Sequence, residues 1–279
     1  MAYSAEISRA HPSCFFLVLD QSGSMEDPFA GSDTGRSKAQ EVADVINRLL
    51  QTLVTRCAKG EEVRDYFDVG VLGYGQSIAP ALKGALAGRE TVSLSELAFN
   101  PLLLEQRTKK VPDGAGGLVE QSYLFPVWVE PVHLGGTPMC AALDRVKTAV
   151  EAWVSAHPVS YPPTVIHVTD GESTDGPPAE VADSIQALST DDGPVAFFNL
   201  HLSSSPARAL TFPGSDAALP DDFARTLFAM SSLLPARLRA EAASEGYAVT
   251  DGARGFAFNA DLVETIRFID IGTRVTNLR

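Results

Sequence analysis

The sequence predicts a doubly wound α/β fold: a three-layer sandwich with helices on both faces of a mostly parallel sheet that carries one antiparallel edge strand. Three observations predict it. Cys14–Leu19 is apolar without a break, and Pro163–Thr169 and Val195–Leu202 read as further strands, as in a sheet buried on both faces. Helical patterns alternate with these runs. Two of the runs deliver an aspartate at once, Asp20 after the first and Asp170 after the second.

Taken in order, residues 1–12 are a polar lead-in to the first strand. Glu26–Gly35, rich in Gly, Asp, Ser and Pro, is loop. From Arg36 to Cys57 the residues Ala39, Val42, Ala43, Ile46, Leu49, Leu50 and Leu53 repeat at the spacing of an amphipathic helix, which Lys59-Gly60 ends. Tyr66–Tyr74 is a second strand, whose glycines at 70, 73 and 75 suggest close backbone packing. Gly75-Gln76-Ser77 is too short for a crossover, so Ile78–Leu82 returns antiparallel.

Residues 84–134 read as an insertion. Thr91–Leu97 fits a short strand or a turn of helix. Beyond it lie a basic spot (Arg107, Lys109, Lys110), a flexible Asp113-Gly-Ala-Gly-Gly117 and an aromatic group (Tyr123, Phe125, Trp128). The segment is either a surface insertion with its own packed patch or a partner-binding element, and its length favours the second. Trp128 is an exposed contact or the anchor of that loop, whereas Trp153 is core.

Gly135-Gly136-Thr137-Pro138 opens a helix from Met139 to about Ala156, stopped by His157-Pro158. Pro178–Leu188, Asp221–Ser231 and Leu233–Glu245 are helical, Pro235 dividing the last two. Residues 203–222 are a long loop. Arg254–Phe258 reads as a final edge strand, and Asn259 caps a last helix over Ala260–Asp270. With no repeat, low-complexity tract or linker, residues 1–279 are expected to form a single domain, its core about 10–275.

Composition excludes several function classes. The formal net charge of −13 argues against a phosphate-backbone ligand, so no nucleic acid is expected. Cys14, Cys57 and Cys140 are scattered, without a CxxC pair, and read as core residues of a reducing compartment. No window approaches the run of about 18 apolar residues that a membrane span needs, and Glu6 and Arg9 interrupt any leader. A cytoplasmic protein is expected, with no membrane partner.

The chemistry gathers at Asp20-Gln21-Ser22-Gly23-Ser24. A carboxylate and two hydroxyls on alternate residues can turn toward one point past the strand end, where ligands bind in open α/β sheets. Oxygen donors without a soft atom suit Mg²⁺, Mn²⁺ or Ca²⁺ over Zn²⁺. Alone, the same residues equally suit a turn that caps the next helix.

Three elements in order then resemble a known family. Asp20, Ser22 and Ser24 in DxSxS, Thr137 in Gly-Gly-Thr-Pro before a helix, and Asp170-Gly171 after a later buried strand are similar to the metal-ion-dependent adhesion site of a von Willebrand factor A domain. The resemblance implies that fold, a Rossmann-like sandwich, and a Mg²⁺ site (Mn²⁺ or Ca²⁺ as substitutes) held by Asp20, Ser22, Ser24, Thr137 and Asp170. It further implies a protein partner that offers an Asp or Glu carboxylate to the metal. The Leu-Asp-Gln-Ser-Gly-Ser-Met start looks like the stand-alone cytosolic bacterial versions. These occur in stress-response modules of the tellurite-resistance type, beside AAA+ ATPases, kinases or phosphatases. The expected role is a non-enzymatic adaptor. The alternatives are a substrate-delivering or regulatory subunit of an AAA+ ATPase and a metal-dependent phosphoryl enzyme. The last would need a second carboxylate where Ser22 stands and a lysine on a later strand. Neither a nucleophile elbow nor a P-loop is present. His167 reads as core, His201 as core or strand end, and Glu172 as a solvated loop residue.

Overall fold

The structure, a computed structural model, describes residues 3–28, 35–112, 117–203, 207–260, 264, 267 and 268. The chain enters the sheet at β1 (Ser13–Asp20) and crosses to α1 (Lys38–Cys57). A small hairpin, β2 (Ala58–Lys59) and β3 (Glu62–Val63), leads into β4 (Phe67–Tyr74), and β5 (Ile78–Pro80) turns back along it. Next come β6 (Val92–Ser93), α2 (Leu94–Phe99) and a long hairpin of β7 (Leu103–Pro112) and β8 (Leu118–Val127). The second half runs α3 (Met139–Ala156), β9 (Thr164–Thr169), α4 (Ala179–Gln186), a hairpin of β10 (Ser189–Thr190) and β11 (Gly193–Pro194), β12 (Ala196–His201), β13 (Leu210–Thr211), α5 (Asp222–Met230), α6 (Ala236–Ser244) and β14 (Phe256–Phe258).

Among the described residues the main sheet is ordered β13-β14-β12-β9-β1-β4-β5, with β6 also on β4. Pairings from β14 through β12, β9 and β1 to β4 are parallel. β5 and β6 are antiparallel on β4, and β13 is antiparallel at the opposite edge. This is the doubly wound, mostly parallel architecture that the sequence predicts. One placement differs: β14 is not the edge, because the chain at 210–211 lies outside it. A two-residue strand inside a Ser/Pro/Asp-rich loop has no periodicity to betray it.

Alternation explains the apolar runs. In β1 the side chains of Phe15, Leu17 and Leu19 enter a core shared with α1, while Cys14, Phe16 and Val18 enter a second core shared with α3. Both cores are apolar, so the strand has no polar face. α1 begins at a capping box in which Ser37 and Gln40 satisfy each other's backbone N–H groups. The predicted helix over Ala260–Asp270 lies mostly outside the described residues; Glu264, Arg267 and Phe268 are helical, and Phe268 packs on Phe198 and Phe212.

The 84–134 segment is built on the long hairpin, a ten-residue antiparallel ladder separate from the main sheet. Thr91–Leu97 proves to be both of the readings offered for it, β6 and then α2. The predicted basic spot is divided. Arg107 lies 3.7 Å over the Phe125 ring and pairs with Asp44 of α1, so it fastens the hairpin to the body. Lys109 lies over Tyr123 instead. The Asp113–Gly117 stretch that the sequence reads as flexible lies, Gly117 apart, outside the described residues. Trp128 is buried, its indole N–H donating to the Leu97 carbonyl, so it is an anchor and not an exposed contact.

One polar side chain on the inner face of α1 holds the base of this segment. Asn47 is 3% exposed. Its Oδ1 accepts from the Trp128 and Val129 N–H groups, at 2.8 and 3.0 Å, and its Nδ2 donates to the Val129 carbonyl at 2.9 Å. Removing it strands three buried backbone groups. Asn47→Ala is expected to cost about 3 kcal/mol, each orphaned buried group being worth roughly 1–3, seen as a lower urea midpoint. A change under about 0.5 kcal/mol would show that the segment docks without it.

His167 and His201 are both core. His167 accepts or donates at Tyr74 and Asn199, 2.8 Å from each. His201 lies edge-on to Phe223 and Phe258, and its Nδ1 is buried without a hydrogen-bond partner among the described residues. Burial drives both imidazoles down from 6.5 to about 4. They are neutral when folded and take a proton near pH 6.5 once unfolded. Stability should therefore fall as pH drops from about 6.5 to about 4, by about 1.4 kcal/mol per unit for each, and these two groups contribute no further loss below that. His201→Phe fits the same aromatic slot and should flatten the decline in melting temperature; an unchanged slope would rule His201 out as a contributor.

Candidate metal-binding site

The topology brings the site together. From β1 the chain winds over one face to β4, then returns by α3 on the other face to β9, so β1 has a parallel neighbour on each side. Where the winding reverses, the carboxyl ends of adjacent strands part and leave a crevice. The register sets Leu19 beside Val168, which puts Asp20 and Asp170 at the same edge.

Backbone hydrogen bonds lace three loops across this edge. Gln21 N–H donates to the Tyr74 carbonyl (2.7 Å), Leu134 N–H to the Gln21 carbonyl (2.6 Å), Gln76 N–H to the Leu134 carbonyl (2.7 Å) and Gly23 N–H to the Gly135 carbonyl (3.0 Å). Gly75 is where they cross: a Cβ there would lie 2.5 Å from the Leu134 carbonyl oxygen and 2.6 Å from that of Gln21. Gly135 sits at φ +89°, where a Cβ would strike Gln76. The glycines at 75 and 135 therefore allow the loop carrying Thr137 to lie against the loop carrying Ser22 and Ser24.

All five predicted residues reach this edge. Ser22 Oγ is 3.1 Å from Ser24 Oγ, and the Ser24 hydroxyl donates to Asp170 Oδ1 at 2.7 Å. Thr137 Oγ1 and Ser24 Oγ each lie 3.7 Å from where a Cβ on Gly171 would stand, so Gly171 leaves open the space they face. Asp20 is buried; its Oδ1 accepts from Ser22 N–H at 2.8 Å and its Oδ2 from the Thr169 hydroxyl at 2.7 Å. Burial raises the Asp20 carboxyl above its ordinary value, against the opposing bonds from Ser22 and Thr169. Glu172 is exposed beside them, as expected.

Sequence reasoning missed two contributors. Asp175 supplies the N-cap that α3 lacks. Pro138 offers no side-chain acceptor, and Asp175 takes the Cys140 and Ala141 N–H groups at 2.9 Å each. The Asp170 loop thereby grips the Thr137 helix, helped by Thr174 N–H on the Thr137 carbonyl at 2.9 Å. An acid six residues beyond the strand end, opposite a helix that opens on proline, is a signal only in hindsight. The second contributor is Lys38. Its ammonium donates to Asp170 Oδ2 at 2.7 Å and lies 3.9 Å from Asp27; its side chain is 3% exposed and that of Asp170 0%.

Among the described residues no group of three His, Cys, Asp or Glu side chains is placed to hold a metal ion. The cluster here has two carboxylates and reaches five oxygen-bearing side chains only by way of hydroxyls. Such a set fits a hard divalent cation and no soft one. A groove of about 710 Å³ lies elsewhere, walled by Asp68, Arg89, Arg145, Trp153 and His157, and none of the five residues borders it.

No protein-family model matches the chain, and no curated protein matches it. Among solved structures, the vWF domain of the type V pili tip protein Mfa5 from Porphyromonas gingivalis is similar at 12% identity and a TM-score of 0.31, over 58% of this chain and 39% of that one. The chain thus spans well under two thirds of that protein.

Partial burial works to raise the Asp175 carboxyl, but the two backbone donors and the Ser173 hydroxyl outweigh it and hold it below its ordinary value. Its contribution is present at neutral pH and lost as pH falls through the carboxylate range. Asp175→Ala should cost about 1–2 kcal/mol at pH 7, as for a lost cap, with a smaller difference from wild type at pH 3. An equal loss at both values would show that the charge plays no part.

Proposed function

We propose that this chain binds a divalent cation, Mg²⁺ first and Mn²⁺ or Ca²⁺ as substitutes, through Asp20, Ser22, Ser24, Thr137 and Asp170, and so captures a carboxylate of a partner protein. The observation that supports the reading is the gathering of five oxygen-bearing side chains from three separate loops at one sheet edge, with no sulfur or imidazole donor among them. The chemistry that the cation supplies when bound is Lewis acidity and an open coordination position for a carboxylate oxygen.

The residues suit that use. Asp20 and Asp170 bring about two negative charges and the hydroxyls none, so the charge of a divalent cation is matched and not exceeded. Asp20 is fixed by Ser22 N–H and the Thr169 hydroxyl, which leaves little reorganisation to be done on binding. Ser24 is the exposed member of the five. A chain of net charge −13 repels acidic groups, and a cation between the two surfaces removes that penalty. The vWA-type resemblance of the three motifs agrees with this role. It also suggests where a partner would be found, in a bacterial stress-response module of the tellurite-resistance type with an AAA+ ATPase, a kinase or a phosphatase. In that setting the chain would act in the cytoplasm as an adaptor or as a substrate-delivering subunit. The phosphoryl-enzyme reading is weaker. Lys38 stands on α1 and not on a later strand, its ammonium is on Asp170, and position 22 is serine where a second carboxylate is needed.

Mg²⁺ at about 100 times its Kd should add about 2.7 kcal/mol of stability, and Asp20→Ala should abolish the increment. A pull-down with Mg²⁺ or EDTA, using wild type and Asp20→Ala, tests the partner: a protein retained by wild type only with Mg²⁺ supports the adaptor role. An Asp20→Ala chain with an undiminished Mg²⁺ shift in melting temperature would refute the site.

A further inference from the structure

The residue that stands out at this edge is Lys38. It opens α1, where the helix dipole is positive and a lysine is disfavoured, and it is buried, where an ammonium loses its hydration. Nothing about α1 requires it; Ser37 and Gln40 already cap the helix. What the lysine does reach is Asp170, at 2.7 Å, on the carboxylate oxygen that Ser24 leaves free. Both oxygens of a fully buried ligand carboxylate are thereby engaged, Oδ1 by a hydroxyl and Oδ2 by a cation of the chain's own.

We infer that Lys38 is the built-in competitor of the divalent cation: its ammonium neutralises Asp170 in the metal-free chain and must give way when metal binds. The inference rests on the metal-site reading proposed above. Electrostatics sets its direction. Without metal, Lys38 offsets the like charges of Asp20 and Asp170, with Asp27 at 3.9 Å as a further carboxylate and the neutral His201 nearby. With metal, an ammonium against a ligand carboxylate repels the incoming charge, so the lysine lowers affinity while it stabilises the empty site. A site built this way releases its metal readily, and a partner's carboxylate adds the negative charge that shifts the balance toward metal.

The experiment is a Mn²⁺ titration, followed by electron paramagnetic resonance and by calorimetry, of wild type, Lys38→Met and Lys38→Arg, with folding checked by circular dichroism. Lys38→Met should bind Mn²⁺ at least tenfold more tightly than wild type and melt lower in EDTA, so that its metal-induced rise in melting temperature is the larger; Lys38→Arg should stay near wild type. Equal or weaker binding by folded Lys38→Met overturns the inference and leaves the metal site standing. Absence of Mn²⁺ binding by both wild type and Lys38→Met overturns the metal site and the inference together. A measurement on the unmutated chain guards against a variant that does not fold. Amine-directed labelling read by mass spectrometry should leave Lys38 unmodified in EDTA and modify it with Mg²⁺; protection that persists at saturating Mg²⁺ overturns the inference.

Discussion

Two carboxylates at the ends of neighbouring strands set the terms for this edge of the sheet. Asp20 and Asp170 are brought together by the register of β1 on β9, and both side chains are out of water. Like charges so placed are costly unless something positive or strongly donating faces them. Each nearby polar feature answers that demand. Thr169 and the Ser22 N–H serve Asp20, and Ser24 and Lys38 serve Asp170. Asp175, one turn of loop away, is served by the start of α3. The edge is thus arranged around two buried carboxylates, each answered by donors of the chain itself.

Holding charge in place requires a frame that does not relax, and the frame here is backbone. The loops after β1 and β4 and the loop before α3 share four main-chain hydrogen bonds of 2.6–3.0 Å, packed so closely that Gly75 and Gly135 admit no side chain. The consequence is that Thr137 is fixed relative to Ser22 and Ser24 by peptide groups, whose positions follow from the sheet itself. Site geometry and fold stability therefore draw on the same contacts. The hairpin of β7 and β8 is fastened differently, through side chains: Asn47 and Trp128 at its base and Arg107 between Asp44 and Phe125.

That contrast explains what was legible in the sequence. The buried strands and α1 announce themselves because each has a single demand, apolar burial at a fixed period, and the two strand-end aspartates stand out against apolar runs. Thr137 is legible through its motif and not through any pattern of its own. The hairpin was not seen because its strands lack alternation: Leu102, Leu103 and Leu104 run together, Leu104 and Leu124 are exposed, and only Phe125 of the ladder is buried among the described residues. Cross-strand pairing holds it together, and Arg107, Asn47 and Trp128 fasten it to the body; none of these leaves a periodic trace. Asn47 is illegible because a single polar residue on an apolar helix face carries no mark of the backbone groups it serves.

Lys38 was illegible for a related reason, and its case separates pattern from chemistry. On a helical wheel it is one more charged residue at the start of α1, and lysines at helix surfaces are usual. Only its burial shows that it is not at a surface, and only its distance to Asp170 shows what it serves. Local preference argues against it, since the helix dipole and desolvation both oppose an ammonium there. A residue that violates local rules persists when a tertiary interaction outweighs them, and such conflicts cluster where a structure does something besides fold. By that argument Lys38, which both the helix dipole and burial oppose at the start of α1, stands there because it balances the Asp170 carboxylate.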